Sequence, residues 1–118
     1  MDLSMTPADL CKAIIDSLPY PVVYVDLNHV IRYLNPMAVY HYQTERGYSD
    51  LLGQSLFNCH TEQSKAKIIK TVEHFEKGGQ EMLLMVNVKN QRVYISPVRN
   101  SEKELIGYYE RFELNLVK

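Results

Sequence analysis

The sequence has 118 residues, of which 46% are hydrophobic and 23% are charged, and its formal net charge is −1. This length predicts a single domain that can bury a core without disulfides or a structural metal. The small net charge argues against general electrostatic binding to nucleic acid or to anionic membranes. The two cysteines, Cys11 and Cys59, match no metal-ligand spacing. Because no signal peptide and no membrane-length apolar run is present, we expect a cytoplasmic protein with reduced thiols.

The first predicted element is an amphipathic helix within residues 1–18. Thr6 is the expected N-cap, and Pro7 fits the first helical position. The apolar stripe of this helix consists of Leu10, Ala13, Ile14 and Leu18. We interpret the helix as a cap that precedes a main domain of residues 19–118. Together with the apolar segment 82–86 it offers more apolar surface than one small sheet needs, which predicts a homodimer through this helix and the outer sheet face.

The main domain shows the pattern of a small antiparallel sheet. Five strands are predicted, at residues 21–26, 30–34, 81–88, 92–98 and 105–116. The first two are joined by a short turn and form a predicted hairpin. The third is apolar on both faces, which predicts a strand covered on both sides or packed against a partner. Since no parallel crossover pattern occurs, we predict an α+β fold: a five-stranded antiparallel sheet with short helices and one longer helix on one face.

The segment between the hairpin and the last three strands contains the candidate site. Asn35-Pro36 repeats the cap-then-proline signal and starts a predicted helix through about Tyr42, and residues 43–49 are a predicted loop. A short helical turn is expected to end at Gly53, and Cys59 and His60 then stand next to each other. Thr61 is the expected N-cap of the longest helix, which ends at Gly78-Gly79. The apolar stripe predicted to lie on the sheet consists of Ile68, Ile69, Val72 and Phe75.

Several motifs occur together in a fixed order. The hairpin is followed by Tyr33-Leu34-Asn35-Pro36, then by the Leu51-Leu52-Gly53-Gln54 turn, the single long helix, and a closing meander with Gly107. This arrangement resembles the PAS domain family over nearly the whole chain. Asn58-Cys59-His60 also resembles a subgroup of bacterial PAS domains that carry a Cys-His pair at this place. The resemblance implies a sensory or interaction module that binds a small ligand or cofactor between sheet and helices.

The resemblance also bears on the cofactor. The flavin-binding light-oxygen-voltage subgroup carries its cysteine in an Asn-Cys-Arg-Phe-Leu-Gln context. In this chain Cys59 is followed by His60-Thr61, so flavin photochemistry is not expected. The cofactor is left unassigned, with haem on His60 as one candidate because neutral imidazole is a common iron ligand.

Each candidate site residue has a structural alternative. His60 either contacts a ligand or metal, or bonds to the backbone at the helix start. Cys59 is either a thiol activated by the helix N-terminus or a small buried apolar residue. His74 is expected to face water, because it lies far around the helix from Val72.

The remaining candidates lie on the long helix and the last strands. Tyr94 and Tyr108 either contact a ligand or pack in the core. Val72 and Met85 are expected to line the same cavity, between the start of the long helix and the meander. Glu110 falls on the apolar face of its strand. It therefore pairs with Arg92 or Arg99, binds a polar ligand, or is turned outward by a bulge.

These observations predict a sensory or regulatory PAS domain that binds a small molecule and signals to a partner protein. The implied partner is an output domain or a kinase on another chain, and neither nucleic acid nor membrane is expected. The alternative is a ligand-free interaction or dimerisation module. An enzyme is not expected, because the sequence shows no Ser-His-Asp order, phosphate-binding loop or metal-ligand cluster.

Overall fold

A computed structural model describes residues 5–114, apart from the side chain of Cys59. Its strands are β1 (Val22–Asp26), β2 (Ile31–Leu34), β3 (Met82–Val86), β4 (Gln91–Arg99) and β5 (Leu105–Leu114). They form one sheet in the order β2-β1-β5-β4-β3, and all neighbouring strands are antiparallel. The predicted α+β fold with a five-stranded antiparallel sheet is confirmed, including the hairpin of β1 and β2.

Helical segments precede the sheet and connect its two halves. They are α1 (Pro7–Asp16), α2 (Pro36–Val39), a π-helical turn (Tyr40–Glu45), a 3₁₀ helix (Leu56–Cys59) and α3 (Glu62–Glu76). The N-caps predicted at Thr6, Asn35 and Thr61 are all present, each accepting a hydrogen bond from a backbone N–H three residues later. Among the described residues, no helix is both long enough and apolar enough to cross a membrane.

Two predicted boundaries were wrong. Helical structure continues to Glu45, where a loop was expected from residue 43, and the His41 ring contacts the Glu45 carboxylate at 3.3 Å across this turn. The segment ending at Gly53 is a tight turn, not a helical one. The Gly53 N–H donates to the Ile31 carbonyl at 2.8 Å, so the turn pairs with β2, and the φ of +83° explains the glycine.

The core lies between α3 and the inner face of the sheet. Ile68, Val72 and Phe75 are buried on α3, as predicted, but Ile69 is 37% exposed. Thr71 is buried in its place, and its hydroxyl donates to the Lys67 carbonyl at 2.8 Å. This internal bond satisfies the hydroxyl, so a polar residue occupies part of the helix face that meets the sheet.

Strand β3 is the exposed edge of the sheet. Its neighbour is β4 alone, and its exposed residues are Met82, Leu83, Met85 and Val86. The prediction that this segment is covered on both faces was therefore wrong within the described chain. Apolar composition marked the strand correctly, but it did not reveal its position at the edge. Packing against a partner stays a prediction.

Asn35 joins three elements at the opposite end of the sheet. Its side-chain oxygen accepts from the backbone N–H of Val22 at 2.9 Å and of Ala38 at 3.0 Å. Its amide donates to the carbonyls of Ile15 at 3.1 Å and Tyr20 at 3.0 Å. Asn35 is 0% exposed, so this one side chain ties the end of α1, the start of β1 and the start of α2 together.

Helix α1 lies outside the core. None of its residues is buried, and Leu10 and Ile14 are 52% and 56% exposed. Between the end of this helix and the outer face of the sheet runs a groove of about 490 Å³, whose floor includes Val22, Tyr24 and Tyr109. The apolar stripe predicted for the helix is therefore available to another surface.

Candidate functional site

A cavity of about 590 Å³ lies on the inner side of the sheet. Its walls come from the π-helical turn, the start of α3, the β3–β4 hairpin and strand β5. The apolar part of the wall consists of Leu84, Met85, Val88, Val93 and Phe112. The ionisable side chains of the wall are His41, Glu45, Arg46, His60, Lys89 and Glu110. Its volume is within the range of small-molecule sites.

Glu110 is the most unusual residue of this wall. Strand β5 alternates regularly, so Tyr108, Glu110 and Phe112 all point inward and are buried. Glu110 is 0% exposed, and neither of its carboxylate oxygens has a hydrogen-bond partner of good geometry among the described residues. A buried carboxyl without partners is costly and calls for an explanation.

The environment of Glu110 favours the protonated carboxyl. Burial raises its pKa, because the charged form is poorly solvated in the interior. The side chains of His60 and Arg46 oppose this shift electrostatically, and a hydrogen bond of poor geometry from the Tyr42 hydroxyl makes the smallest opposing contribution. The net direction is upward, so burial outweighs the nearby groups.

His60 stands beside Glu110 with a defined tautomer. The His60 Nδ1 atom lies 2.9 Å from the Leu56 carbonyl oxygen, which can only accept a hydrogen bond. Nδ1 therefore carries a proton, and in a neutral ring Nε2 holds the lone pair. Nε2 lies 3.6 Å from Glu110 Oε1, and the His60 side chain is 12% exposed. The two groups can share a proton once they approach more closely, or each can bond to a ligand between them.

The other charged groups around the cavity already interact with neighbours. The Lys89 ammonium pairs with the Glu45 carboxylate, which also contacts His41. The Arg46 guanidinium lies over the rings of Tyr42 and Tyr48, at 5.5 and 5.0 Å from their centroids. Burial lowers the pKa of His41, and the cations Arg46 and Lys89 add to this effect. Glu110 differs from Glu45 in that neither of its oxygens has a hydrogen-bond partner of good geometry in the described structure.

The structure brings only part of the predicted site together. His60 and Met85 line the cavity. Tyr108 and Val72 are in the core instead, and the Tyr108 hydroxyl lies 2.8 Å from His29 Nδ1. Tyr94 lies on the opposite face of the sheet. The side chain of Cys59 falls outside the described structure.

Strand alternation explains why Tyr94 is not at the cavity. Its neighbours Val93 and Ile95 are buried in the inner layer, so Tyr94 points outward. There the Arg111 guanidinium lies 4.3 Å from the centroid of the Tyr94 ring. The expectation that Tyr94 contacts a ligand in this cavity or packs in the core is therefore wrong.

The partners predicted for Glu110 were also wrong. Arg92 faces Glu113 at 3.5 Å, on the outer side of the sheet. Arg99 donates to the Phe75 carbonyl at 2.7 Å, at the end of α3. A bulge lies beside the Val98–Gly107 pair, but the Ile95–Glu110 pair keeps regular register, so Glu110 is not turned outward.

Sequence reasoning missed the contribution of the π-helical turn. His41, Tyr42 and Arg46 all reach the cavity from this segment or directly after it. A π-helical turn shifts side-chain directions relative to an α-helix, and such turns often occur at functional sites. A mixture of polar and aromatic residues was visible in the sequence, but the change in helical geometry was not. Among the described side chains, no three His, Cys, Asp or Glu residues are arranged to hold a metal ion.

Comparison with known proteins agrees with this architecture. The sequence model of the PAS fold matches residues 9–109. The solved PAS domain of a protein from Colwellia psychrerythraea is 16% identical, with a TM-score of 0.65 over 96% of this chain and 100% of that chain. No curated protein matches the chain by sequence.

Two further solved structures come from Vibrio cholerae. A sensory box sensor histidine kinase is 11% identical, with a TM-score of 0.61 over 87% of this chain and 86% of that chain. The Aer2 receptor, a dual PAS-haem oxygen sensor, is 19% identical, with a TM-score of 0.54 over 80% of this chain and 92% of that chain. At such low identities the similarity concerns the fold alone.

Proposed function

Because the chain belongs to the PAS family, we propose that it is a sensory domain that binds a small molecule in the cavity beside His60 and Glu110. The observation that carries this proposal is the buried Glu110 carboxyl, whose two oxygens lack hydrogen-bond partners of good geometry in the described structure. A ligand that bonds to Glu110 removes the cost of burying it. The similarity to sensor proteins such as the Vibrio cholerae histidine kinase supports the sensory part of the proposal.

The position of His60 suggests how binding is transmitted. His60 follows the 3₁₀ helix and immediately precedes Thr61, the N-cap of α3. Glu110 is on β5, at the centre of the sheet. A ligand that contacts both changes the spacing between the start of α3 and the sheet, and a partner protein that prefers one spacing then responds. The proposed partner is an output domain or a kinase on another chain.

Haem is a less suitable occupant than a small hydrogen-bonding molecule. The Aer2 receptor is a haem sensor, and Nε2 is the ring atom of His60 that would ligate iron, since Nδ1 bonds to the Leu56 carbonyl. However, Nε2 faces the Glu110 carboxyl at 3.6 Å, so iron on this atom requires the two residues to separate. The absorption spectrum of the purified chain tests this: a Soret band that is lost in His60→Ala establishes haem binding.

We propose binding without catalysis. The hydroxyl groups of Thr61 and Ser64 at the cavity wall hydrogen bond to each other at 3.2 Å within the cap of α3, which gives both a structural role. An incubation in which a bound small molecule is recovered chemically unchanged supports this part of the proposal.

A pair of histidine variants tests the binding site. Small molecules are first screened by the rise in melting temperature, and the affinity of each hit is measured by calorimetry. We expect His60→Ala to weaken binding by about tenfold or more, because it removes a polar contact in a buried site. His74→Ala is the matched control, since His74 is exposed on α3, away from the cavity. Equal effects of the two substitutions would mean that the site is elsewhere.

The exposed stripe of α1 supports a homodimer as the second candidate function. Leu10 and Ile14 are more than half exposed, beside the apolar groove on the outer sheet face. We expect Leu10→Glu with Ile14→Glu to produce monomers in sedimentation experiments, and the exposed Leu52→Glu to serve as the control. A chain that is monomeric at tens of micromolar without any substitution would remove this proposal.

A further inference from the structure

The cavity wall indicates which chemical group a ligand would present to Glu110. Both oxygens of this side chain lack hydrogen-bond partners of good geometry in the described structure. A carboxyl group presents its two oxygens in one plane, so its best partner offers two polar atoms side by side. A ligand with one hydroxyl group leaves one oxygen unsatisfied. A purely apolar ligand leaves both unsatisfied, and the desolvation cost then remains.

The charges around the cavity argue against an anionic ligand. Lys89 already pairs with Glu45, and Arg46 lies over two tyrosine rings. An anion placed at Glu110 meets either a second negative charge or a carboxyl that must stay protonated. The group that contacts Glu110 is therefore neutral or cationic.

The remaining wall favours a flat ring. The aromatic rings of Tyr42, Tyr48 and Phe112 and the apolar side chains of Leu84 and Val93 all line the cavity. Such walls bind planar aromatic surfaces by stacking and by burial of apolar area. A volume of about 590 Å³ is sufficient for one or two fused rings.

We infer that the cavity binds a small planar nitrogen heterocycle that carries an amino group next to a ring nitrogen, as aminopyridines and aminopyrimidines do, and that this edge pairs with both oxygens of Glu110. The inference rests on the proposed function. This edge suits the carboxyl in either protonation state. A neutral carboxyl donates its proton to the ring nitrogen and accepts from the amino group. A carboxylate accepts from the amino group and from the protonated ring nitrogen, so one proton is shared in both cases.

His60 fits this arrangement without competing for the same bond. Its Nδ1 proton is used by the Leu56 carbonyl, and its Nε2 is near Oε1 but beyond hydrogen-bond distance, at 3.6 Å. Glu110 can therefore hold the paired edge without displacing the bond between His60 and Leu56. The paired edge also separates the ligand class from simple amines, which have no adjacent acceptor.

Two probes of the same shape test the inference in the full chain. 2-Aminopyridine has the proposed edge, whereas 2-methylpyridine replaces the amino group by a methyl group. We expect the chain to bind 2-aminopyridine more tightly by roughly tenfold to a hundredfold, measured by calorimetry or NMR titration. Equal affinity for the two probes overturns the inference but leaves the proposed function intact, because the cavity still binds a ligand. Failure of both probes to bind at millimolar concentration counts against both proposals.

Variants assign the preference to Glu110. Glu110→Leu is expected to abolish the difference between the probes, and Glu113→Gln, on the outer face of the same strand, is expected to preserve it. Glu110→Gln retains one acceptor and one donor and should keep part of the preference. If Glu110→Leu does not fold, NMR titration of the unmodified chain with 2-aminopyridine replaces this test. We expect chemical-shift changes at Glu110 and His60, and changes confined to Glu113 overturn the inference. A preference that survives in folded Glu110→Leu also overturns it.

Discussion

Asn35 and Glu110 are both polar side chains with 0% exposure, but the regions around them differ completely. Asn35 makes four hydrogen bonds that join α1, β1 and α2. Glu110 has no partner of good geometry for either oxygen among the described residues and lines a cavity. The comparison teaches that a buried polar residue does not by itself indicate a ligand site. A ligand site is indicated when a buried polar group lies beside a cavity and its hydrogen-bonding capacity is unused.

The difference has an energetic consequence. A fully satisfied buried group stabilises the one structure in which all its partners meet, and its removal leaves several groups unpaired. An unsatisfied buried carboxyl destabilises the empty domain, and its removal relieves that cost. The two residues should therefore respond to substitution with opposite signs, and the following experiments test this.

The largest effect is expected at Asn35. Asn35→Ala leaves the Val22 and Ala38 N–H groups and two carbonyls without their partners, and it removes the N-cap of α2. We expect the free energy of unfolding to fall by about 3–5 kcal/mol in urea denaturation. Asn58→Ala, at an exposed position where the side-chain amide donates to Gln54 at 3.3 Å, is the control and should change little. A loss below about 1 kcal/mol would show that water replaces the four bonds.

The second expectation has the opposite sign. Glu110→Leu replaces a buried carboxyl by an apolar side chain, next to Val93 and Phe112 in the cavity wall. We expect the free energy of unfolding at neutral pH to rise by about 1–4 kcal/mol. A loss of stability instead would mean that Glu110 is held by bonds comparable to those of Asn35, and the distinction between the two regions would fail.

The pH dependence of the same position sharpens the comparison. In the folded chain burial raises the pKa of Glu110 above its ordinary value of 4.5, so the folded state keeps this proton to higher pH than the unfolded state does. As pH rises above 4.5, the unfolded state loses its proton first and becomes relatively more stable. This group therefore lowers stability progressively until the folded carboxyl also ionises.

The Glu110→Gln side chain cannot ionise, so this substitution removes the contribution of position 110 to the pH dependence of the free energy of unfolding. We expect the stability of the variant relative to the unmodified chain to increase between about pH 4.5 and neutral pH, by urea denaturation at several pH values. Tyr108→Phe is a control, since it keeps the carboxyl. A relative stability that does not change with pH would show that Glu110 is not desolvated in solution.

The sequence predicted one of these two regions better than the other. Asn35-Pro36 predicted the N-cap, because capping depends on residues close in sequence. The bonds from Asn35 to Ile15 and Tyr20 link side chain and backbone across 20 and 15 residues, and no local pattern contains them. The five strands and α3 were predicted for the same local reason, since alternation and helical spacing are periodic.

The candidate site depended on contacts between layers. Alternation on β5 placed Glu110 inward, but it did not show that His60 faces it or that Arg92 faces away. Tyr94 was assigned to the cavity because its position on a strand was considered without its face. The π-helical turn that supplies His41 and Arg46 has no recognised sequence pattern. These errors share one cause: residue type and spacing describe an element, and the site depends on how elements meet.

The smallest effect is expected at Glu81, a carboxyl on the outer side of the sheet. Its two oxygens accept from Arg111, at 3.0 Å from Nε and 2.7 Å from Nη2, and one also contacts the Ser96 hydroxyl. The Arg111 bonds lower the pKa of Glu81, the opposite direction from Glu110. Because the folded state releases this proton at lower pH than the unfolded state, Glu81 contributes stability above pH 4.5 and loses it as the pH falls.

Glu81→Gln should therefore give the mirror image of Glu110→Gln. We expect a loss of only about 0.5–1 kcal/mol at neutral pH, because the side chain is 34% exposed and solvent screens the ion pair. The loss should disappear in acid, where both versions of the chain are uncharged at this position. Urea denaturation of both variants across the same pH range makes the comparison direct. If the two pH profiles have the same sign, then burial and pairing do not act on the two carboxyls as the structure indicates.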